Sequence, residues 1–314
     1  MKVHYQLDAL PEFQNAIITT GSFDGVHLGH AHLIQQMKET AFQIHGETVL
    51  ITFHPHPRKV ISSVPGEIKQ LTTIHEKIKL LDKAGVDHLV VVQFDYRFSN
   101  MTAEEYVNDF LIHYFKPKVI FIGYDHHFGN GRKGNIDLLK TIGLQKGFQV
   151  QLVNEFILNN TIVSSSAIRE NIAEKDFTKA NALLGYAYHF EGFVVKGNQL
   201  GRTIGFPTAN LHIMDEEKII PPNGVYAVKV CSACTNDNTY LGMMNIGVRP
   251  TVDGNKKVIE VNIFDFDKDI YEQNLCVSVY KYIRGEVKFD GLDNLKAQLN
   301  KDRIMAATIL ANHP

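Results

Sequence analysis

The chain has 314 residues, of which 44% are hydrophobic and 21% charged, and its formal net charge at pH 7 is −2. This balance predicts a globular protein without the general positive charge that nucleic-acid binding or adhesion to anionic membranes requires. No apolar run approaches the roughly 18–20 residues that cross a bilayer, and the first residues lack a signal-peptide core, so we expect a cytoplasmic protein. The length suits two domains, each with its own core.

The N-terminal half alternates short apolar runs with amphipathic stretches, which is typical of βαβ units in a parallel, doubly wound sheet. The predicted strands are Ala16–Thr20, Thr48–Phe53, His88–Phe94, Val119–Gly123 and Phe148–Val153. The predicted helices are His30–Ile44, Ile74–Ala84, Ala103–Tyr114 and Ile136–Leu144. Because the strands are apolar on both faces, we expect helices to cover the sheet on both sides.

The stretch from Thr20 to His30, TGSFDGVHLGH, closes the first strand and opens the first helix. Its glycines let the backbone turn and approach a ligand, and the helix start offers unpaired N–H groups to an anion. His27 and His30, three residues apart, can point into the same pocket and donate hydrogen bonds to developing charge. The stretch therefore predicts a phosphate-binding loop; the alternative is a plain turn with surface histidines.

Three further unusual loops follow strands, at 53–58, 94–99 and 123–129. Since ligands of parallel sheets lie beyond the carboxyl ends of the strands, these loops and the 20–30 stretch predict one composite pocket. For each loop alone, the alternative is a connection that needs Gly or Pro for its turn.

The segment Val163–Arg169, VSSSAIR, reads as a serine-capped helix start with an arginine in its first turn. Such a start is suited to a triphosphate, and the alternative is a capped linker helix with a solvated arginine. The helices that follow look like a connector that ends at Gly185.

From about Tyr188 the pattern changes to strand-like runs separated by turn residues, which predicts a small antiparallel barrel with a closing helix at Asn294–Lys301. The predicted strands are His189–Lys196, Val225–Cys231, Thr239–Val248, Val258–Phe264 and Leu275–Ile283. We therefore expect two domains, residues 1–184 with the connector helices and residues 185–314.

Within the second half, the stretch GRTIGFPTANL (201–211) is dense in glycine, proline and small polar residues. Thr208 and Asn210 lie two apart in an extended segment, so their neutral oxygens share one side and can ligate a nucleotide-borne Mg²⁺. Glu260 lies in the middle of a strand, where it can accept a proton from a substrate hydroxyl; the alternative is one exposed charge on a solvated face.

The three cysteines are too few for a disulfide framework. Cys231 and Cys234 form one C-x-x-C without a second pair at zinc-site spacing, which favours a structural accident over a redox or metal role. For the histidine pairs at 54–56 and 126–127, no carboxylate or cysteine at short spacing completes a set of ligands, so the sequence does not favour a metal cage.

The motifs as a series resemble those of the bifunctional bacterial riboflavin kinase/FMN adenylyltransferases, also called FAD synthetases. In family order, from about Thr19 to Asp302, they are GSFDGVHLGH, TFHPHP, LTTIHEK, the 123–129 loop, SSSAIR, GRTIGFPTANL, PPNGVY, NIGVRPT, IEVNIFDFD and YIRGEVKFD. A collinear series of this kind is far more specific than any single motif.

The resemblance implies a Rossmann-like nucleotidyltransferase domain that makes FAD from FMN and ATP, and a barrel domain that phosphorylates riboflavin. It places His27 and His30 at the phosphates and Ser165 and Arg169 at the leaving group. It also makes Glu260 the catalytic base. The implied ATP contacts are Gly21, Ser22, Phe23, Asp24, Gly29, Ser165, Gly201, Gly205 and Thr208. The implied flavin contacts are Phe53, Pro55, Asp125, Phe128 and Arg284. Thr208 and Asn210 match the Mg²⁺ positions, and Asn210 is also a catalytic candidate.

The expected partners are therefore riboflavin, FMN, ATP and Mg²⁺, with no nucleic acid or membrane partner and with a possible weak homo-oligomer. The chain departs from the family pattern at His54, at Ser166 and in the loop after Asp125, where the family usually reads GxDFxFG. Two alternatives to the two-activity enzyme stay open, a riboflavin kinase with a weakened or lost adenylyltransferase and a flavin-binding regulator without turnover.

Overall fold

A computed structural model describes residues 1–61, 69–197, 200–232, 239–251 and 254–313. The chain forms two compact units, Met1–Ser165 and Ser166–Pro314. The predicted functional boundary after residue 184 stays a prediction; by contacts, the two helices before it group with the second unit.

The first unit is built on a six-stranded sheet of order β1-β4-β3-β2-β5-β6, in which every pair is parallel. Its strands are β1 (Lys2–His4), β2 (Ile17–Thr20), β3 (Thr48–His54), β4 (His88–Gln93), β5 (Val119–Gly123) and β6 (Gln149–Val153). A two-stranded ribbon, β7 (Ile157–Leu158) and β8 (Thr161–Ile162), follows. The parallel sheet is confirmed, and β1 is an edge strand that the sequence prediction lacks.

The helices of the first unit lie between these strands. They are α1 (Leu28–Ile44), α2 (Pro57–Ile61), α3 (Ile74–Lys83), α4 (Tyr96–Ser99), α5 (Ala103–Glu105), α6 (His113–Phe115) and α7 (Ile136–Lys146), with 3₁₀ turns at Leu7–Ala9 and Asn130–Arg132. The predicted helix Ala103–Tyr114 is interrupted by a π segment, Tyr106–Ile112, between α5 and α6. Hydrophobic periodicity could not show this, because a π segment changes the hydrogen-bond pattern without changing which residues are apolar.

Alternate residues of the strands enter two separate cores, one on each face of the sheet. Ile18 and Val90 belong to one core, whereas Ile17, Leu89 and Phe121 belong to the other. This division confirms a sheet that is covered on both sides, as its continuous apolar strands predicted.

The second unit is a closed antiparallel barrel of order β10-β13-β12-β11-β14-β9. Its strands are β9 (His189–Val195), β10 (Ala209–His212), β11 (Gly224–Ser232), β12 (Tyr240–Thr251), β13 (Gly254–Ile263) and β14 (Asn274–Arg284). The helices are α8 (Ser165–Ala173), α9 (Phe177–Leu184), α10 (Leu200–Thr203) and α11 (Leu292–Ala311). The predicted barrel is confirmed.

The closing helix α11 is 20 residues long, so the predicted range Asn294–Lys301 was too short. Its buried residues are Asp302, Ala306 and Leu310, which recur every four residues and form one face. Ala306 and Leu310 pack in a core with Ala227 and Met243 of the barrel. Because the first of these buried positions is the charged residue Asp302, the sequence does not show a continuous apolar face here.

Candidate active sites

The loop after β2 has an irregular backbone that its neighbours hold in place. Phe23 and Val26 have φ values of 46° and 36°, and Gly25 has a φ of 82°. Positive φ is costly for a β-branched residue such as Val26 and persists only where the surroundings impose it. The loop is therefore a specifically built feature rather than a plain turn.

Asp24 is the buried anchor of this loop, with 1% of its surface exposed. Its carboxylate accepts hydrogen bonds from the backbone N–H of Leu71 (3.0 Å), and from the N–H (3.0 Å) and hydroxyl (3.2 Å) of Thr72. Thr72 Oγ1 accepts a hydrogen bond from Gly25 N in turn, at 3.0 Å. The LTT motif thus fixes the loop, a role that the sequence analysis did not assign.

His27 and His30 lie together at the start of α1, as predicted. His27 is the N-cap residue of the helix, and its ring stacks on that of His30 with centroids 3.7 Å apart. The Phe23 ring lies 4.9 Å from the His30 ring on centroids. A Cβ at Gly29 would come within 3.2 Å of the His27 ring, so this position favours glycine.

The His30 imidazole is held in its neutral form. Burial lowers its pKa well below the usual value, and the nearby His27 and Lys77 lower it further. Its buried Nδ1 has no hydrogen-bond partner among the described residues. A neutral, preorganised ring of this kind can donate one hydrogen bond to a charged ligand without first losing a proton to solvent.

Lys77 of α3 contacts the same loop through its side chain. Its Nζ donates a hydrogen bond of 2.6 Å to the carbonyl of Ser22, and 3% of the residue is exposed. From the sequence alone, the LTTIHEK motif did not indicate a role for Lys77. The motif does contain a readable helix start, since Thr73 and Glu76 form a capping box at the N-terminus of α3.

The serine segment also contacts the loop. Ser165 Oγ donates a hydrogen bond of 2.8 Å to the carbonyl of Asp24, so its proton holds the backbone of the loop. Arg169 lies further along α8, within the second unit. The roles predicted for Ser165 at the nucleotide and Arg169 at the leaving group stay predictions.

The predicted flavin contacts of the first unit lie at the ends of β3 and β5. Phe53 packs edge-on against Phe94, with centroids 5.5 Å apart, and Pro55 follows a cis peptide bond. Phe128 is buried and stacks on Tyr106 at 5.3 Å, whereas Asp125 is exposed. Phe128 therefore has a structural role in the aromatic core, and its predicted flavin contact is untested.

His126, in the loop that departs from the family pattern, lies just after the carboxyl end of β5. Its Nε2 is 3.4 Å from Thr20 Oγ1 at the end of β2, and burial lowers its pKa. The departure thus places an imidazole of the 123–129 loop beside Thr20, where the 20–30 stretch begins, and its lowered pKa favours the neutral form.

In the second unit a cavity of about 450 Å³ opens beside β10 and β13. Thr208 and Arg202 line it together with the segment 266–271. Its volume is in the range of small-molecule sites. Val261 also lines the cavity, and because side chains alternate along a strand, Glu260 is on the opposite face of β13.

Glu260 is part of a polar row across three neighbouring strands. It pairs with Asn210 of β10 on one side and with Asn245 of β12 on the other. Residues paired in this way have Cβ atoms about 4.5–5.5 Å apart on the same face. The structure therefore brings the predicted Asn210 and Glu260 together and adds Asn245, which sequence analysis did not single out.

Two glycines, Gly197 and Gly247, leave room for the polar side chains on this face. A Cβ at Gly197 would lie 2.3 Å from Asn210 Nδ2, and one at Gly247 would lie 2.2 Å from Glu286 Oε1. Any side chain at either position would therefore displace a polar group of this face. Glu286 itself accepts a hydrogen bond from Asn223 Nδ2 at 3.2 Å.

The turn before β10 is also fixed by close contacts. Asn262 Nδ2 donates to the carbonyl of Pro207 at 2.7 Å, and a Cβ at Gly201 would lie 2.2 Å from the carbonyl of Phe206. Gly205 has a φ of 86°, a conformation that favours glycine. These contacts fix the backbone at the turn and so help to determine the positions of Thr208 and Asn210, which follow it.

Arg284, a predicted flavin contact, is bound by a carboxylate of α11. Its Nε and Nη2 donate to Asp302 Oδ1 (2.9 Å) and Oδ2 (2.6 Å), and its Nη1 donates to the Gly285 carbonyl at 2.8 Å. Asp302 is 2% exposed and also accepts from Gln298 Nε2 at 2.9 Å. This pair ties the end of β14 to the closing helix; the flavin role of Arg284 stays a prediction.

We expect Asp302→Ala to destabilise the barrel unit by roughly 2–4 kcal/mol, because it leaves a largely desolvated guanidinium without its partner. The figure is below that of a fully buried pair since Arg284 keeps a fifth of its side chain exposed. The exposed pair Arg303–Asp265 supplies the control, and Arg303→Ala should cost about 1 kcal/mol or less. Urea unfolding followed by circular dichroism measures both, and equal effects would contradict the assignment.

Several other sequence expectations concern cysteines, metals and membranes. The barrel register places Cys231 opposite Cys276, while Cys234 lies outside the described residues. Within the described ranges there is no group of three or more His, Cys, Asp or Glu side chains that could hold a metal ion. No helix in those ranges has the length and apolar character to cross a membrane.

A parallel sheet with a stacked histidine pair after its second strand, and a closed barrel with a carboxylate–amide row, together suit a nucleotide-dependent transferase with two units. The FAD synthetase family model matches residues 10–167, and the riboflavin kinase family model matches residues 184–310. The chain belongs to the family of bifunctional riboflavin kinase/FMN adenylyltransferases.

Relatives with that family name align with this chain over nearly the whole length of both proteins. The Escherichia coli (strain K12) protein is 35% identical over 302 residues, covering 96% of this chain and 95% of the relative. The Listeria monocytogenes protein is 39% identical over 290 residues, covering 92% and 90%. A solved Streptococcus pneumoniae structure, titled a macrolide-efflux protein, superposes with a TM-score of 0.88 at 30% identity over 97% of this chain and 98% of its own.

Proposed function

We propose that the two units carry out consecutive reactions of flavin-nucleotide synthesis. The barrel transfers the γ-phosphoryl group of ATP to the 5′-hydroxyl of riboflavin, and the first unit couples the resulting FMN to ATP, giving FAD and pyrophosphate. The observation that carries the proposal is the presence in one chain of both an irregular loop with stacked histidines after β2 and a row of Asn210, Glu260 and Asn245 in the barrel.

In the first unit, an FMN phosphate oxygen attacks the α-phosphorus of ATP, and the bond to pyrophosphate breaks. The backbone of the 21–26 loop and the rings of His27 and His30 would face the phosphates and donate hydrogen bonds as charge moves to the leaving group. Ser165 holds the Asp24 carbonyl in place, and we assign Arg169 to the pyrophosphate side. No covalent enzyme intermediate is needed.

In the barrel, Glu260 would accept the proton of the riboflavin 5′-hydroxyl as its oxygen attacks the γ-phosphorus. Asn210, directly opposite Glu260, would orient the phosphate, and Thr208, two residues before Asn210 in the chain, would contact the nucleotide. Asn245 lies on the other side of Glu260 and would fix the direction of its carboxylate.

The hydroxyl of Thr208 and the amide oxygen of Asn210 are hard oxygen donors, which fit Mg²⁺ brought in with the nucleotide. Two neutral protein ligands suit an ion that keeps waters and phosphate oxygens in its shell. When bound, Mg²⁺ neutralises phosphate charge in both reactions. We further propose that the protein is cytoplasmic, that it has no nucleic-acid partner and that it forms a weak homo-oligomer.

A chromatographic time course with riboflavin, ATP and Mg²⁺ tests this function. We expect FMN to rise first and FAD to follow, and we expect both products to be lost when EDTA removes Mg²⁺ and to return when Mg²⁺ is restored. A chain that stops at FMN would be a kinase without adenylyl transfer. Flavin binding without any product would mean a regulator, and either result would refute the proposal.

A further inference from the structure

Lys77 is a buried cation that the two proposed mechanisms do not use. It lies on α3 with 3% of its surface exposed, and its Nζ is 2.6 Å from the Ser22 carbonyl. Burying an ammonium group is expensive, and lysines are rarely fully buried unless the charge is compensated. Its position in this fold therefore requires an explanation.

The charged groups around Lys77 come from three elements. Asp24 of the loop attracts the ammonium, His30 of α1 is close enough for Lys77 to lower its pKa, and His27 stacks on His30. Glu76 on the same helix is buried, and its Oε2 accepts the capping hydrogen bond of Thr73 N at 2.9 Å. Lys77 is thus the cation behind the phosphate loop, on the side of the histidine pair.

The hydrogen bonds of this cluster leave the ammonium only partly used. The Asp24 carboxylate is held by Leu71 and Thr72, and Lys77 donates to a neutral carbonyl instead. Within the described parts of the chain, this is the one side-chain hydrogen bond of Lys77, although an ammonium has three donors. Its charge is therefore available to a further anion on the loop.

We propose that Lys77 is a positioning residue of adenylyl transfer, which fixes the Ser22 carbonyl and supplies a buried positive charge behind the loop that receives the nucleotide's polyphosphate. This inference rests on the proposed function of the first unit. A compact point charge under a backbone phosphate loop strengthens binding of the triphosphate without contacting the reacting atoms.

The charge of Lys77 is present near neutral pH and is lost in the alkaline range. Burial lowers its pKa to about 8, while Asp24 acts in the opposite direction. Because the cation is the form below this pKa, kcat/KM for ATP in FAD synthesis should fall as pH rises through about 8. That parameter reports ionisations of the free enzyme and so follows the ammonium before a triphosphate binds.

The test compares Lys77→Met, Lys77→Arg and the control Lys83→Met, which makes the same change at an exposed position of the same helix. FAD formation from supplied FMN is measured from pH 6.5 to 9.5, with riboflavin kinase activity of each preparation as an internal reference. We expect Lys77→Met to lose about 100-fold in kcat/KM for ATP at pH 7 and to show no alkaline fall. Lys77→Arg should recover part of the activity and keep it to pH 9.5, and the control should match wild type.

Three results would overturn the inference. They are Lys77→Met activity within about threefold of wild type, an unchanged alkaline fall in Lys77→Met, and no recovery in a Lys77→Arg protein whose urea midpoint equals that of wild type. If the wild-type protein makes no FAD from FMN, the proposed function itself fails. If it does make FAD and Lys77→Met does so equally well, only the role of Lys77 fails.

Discussion

His30→Ala should slow FAD formation by about 100-fold or more while the same protein still converts riboflavin to FMN at the wild-type rate. The ring is preorganised between His27 and Phe23, and its neutral form is enforced by burial. Loss of one preorganised donor to a developing oxyanion costs about 10²–10³-fold in rate. Quantifying FMN and FAD by chromatography after incubation with riboflavin and ATP would show FMN accumulating.

The matched control is His32→Ala, two residues along the same helix. His32 is exposed, and its Nε2 is 2.7 Å from Gln36 Nε2 one turn later. This variant should make FAD at the wild-type rate. If His30→Ala kept wild-type FAD formation, the stacked pair would be structural and the phosphate-loop assignment would be wrong.

Glu260→Gln should have the opposite effect, leaving riboflavin unphosphorylated while supplied FMN is still converted to FAD. The substitution keeps the shape of the side chain in the row with Asn210 and Asn245 but removes its ability to accept a proton. Removing a general base costs about 10²–10⁴-fold. Initial rates of FMN formation, measured at saturating ATP, give the size of the loss.

Glu174→Gln makes the same isosteric change at an exposed position of the second unit and should leave both activities unchanged. A Glu260→Gln protein that phosphorylates riboflavin within about tenfold of wild type would show that another group accepts the proton. In that case Glu286, beside Gly247, is the next carboxylate on this face to test.

The sheet and the barrel were predictable because their strands carry clear patterns. Val119–Gly123 was predicted with the bounds observed, since an apolar run between turn residues marks a buried strand. The short strands Lys2–His4 and Ala209–His212 are among those that were not predicted. A strand of three or four residues is too short to show a hydrophobic period. The conformation of Lys2–His4 is set by its pairing with β4, and that of Ala209–His212 by its pairing with β9 and β13.

The site was only partly predictable, because sequence spacing shows neighbours within an element but not across elements. The i, i+3 spacing of His27 and His30 predicted that the two rings lie together, although His27 is the extended N-cap residue of α1 and not part of the helix itself. Lys77 lies 55 residues from its hydrogen-bond partner Ser22, and Thr72 lies 48 residues from Asp24. Such contacts depend on how α3 packs beneath the loop, which no local pattern expresses.

We propose that one chain holds two independent sites, and mixing the two variants tests this most directly. Neither His30→Ala nor Glu260→Gln alone should convert riboflavin to FAD at an appreciable rate. An equimolar mixture of the two, with riboflavin, ATP and Mg²⁺, should make FAD, because the first variant releases FMN that the second adenylylates. A mixture that makes no FAD, although each variant retains its single activity with its own substrate, would contradict the claim that the sites act independently through free FMN.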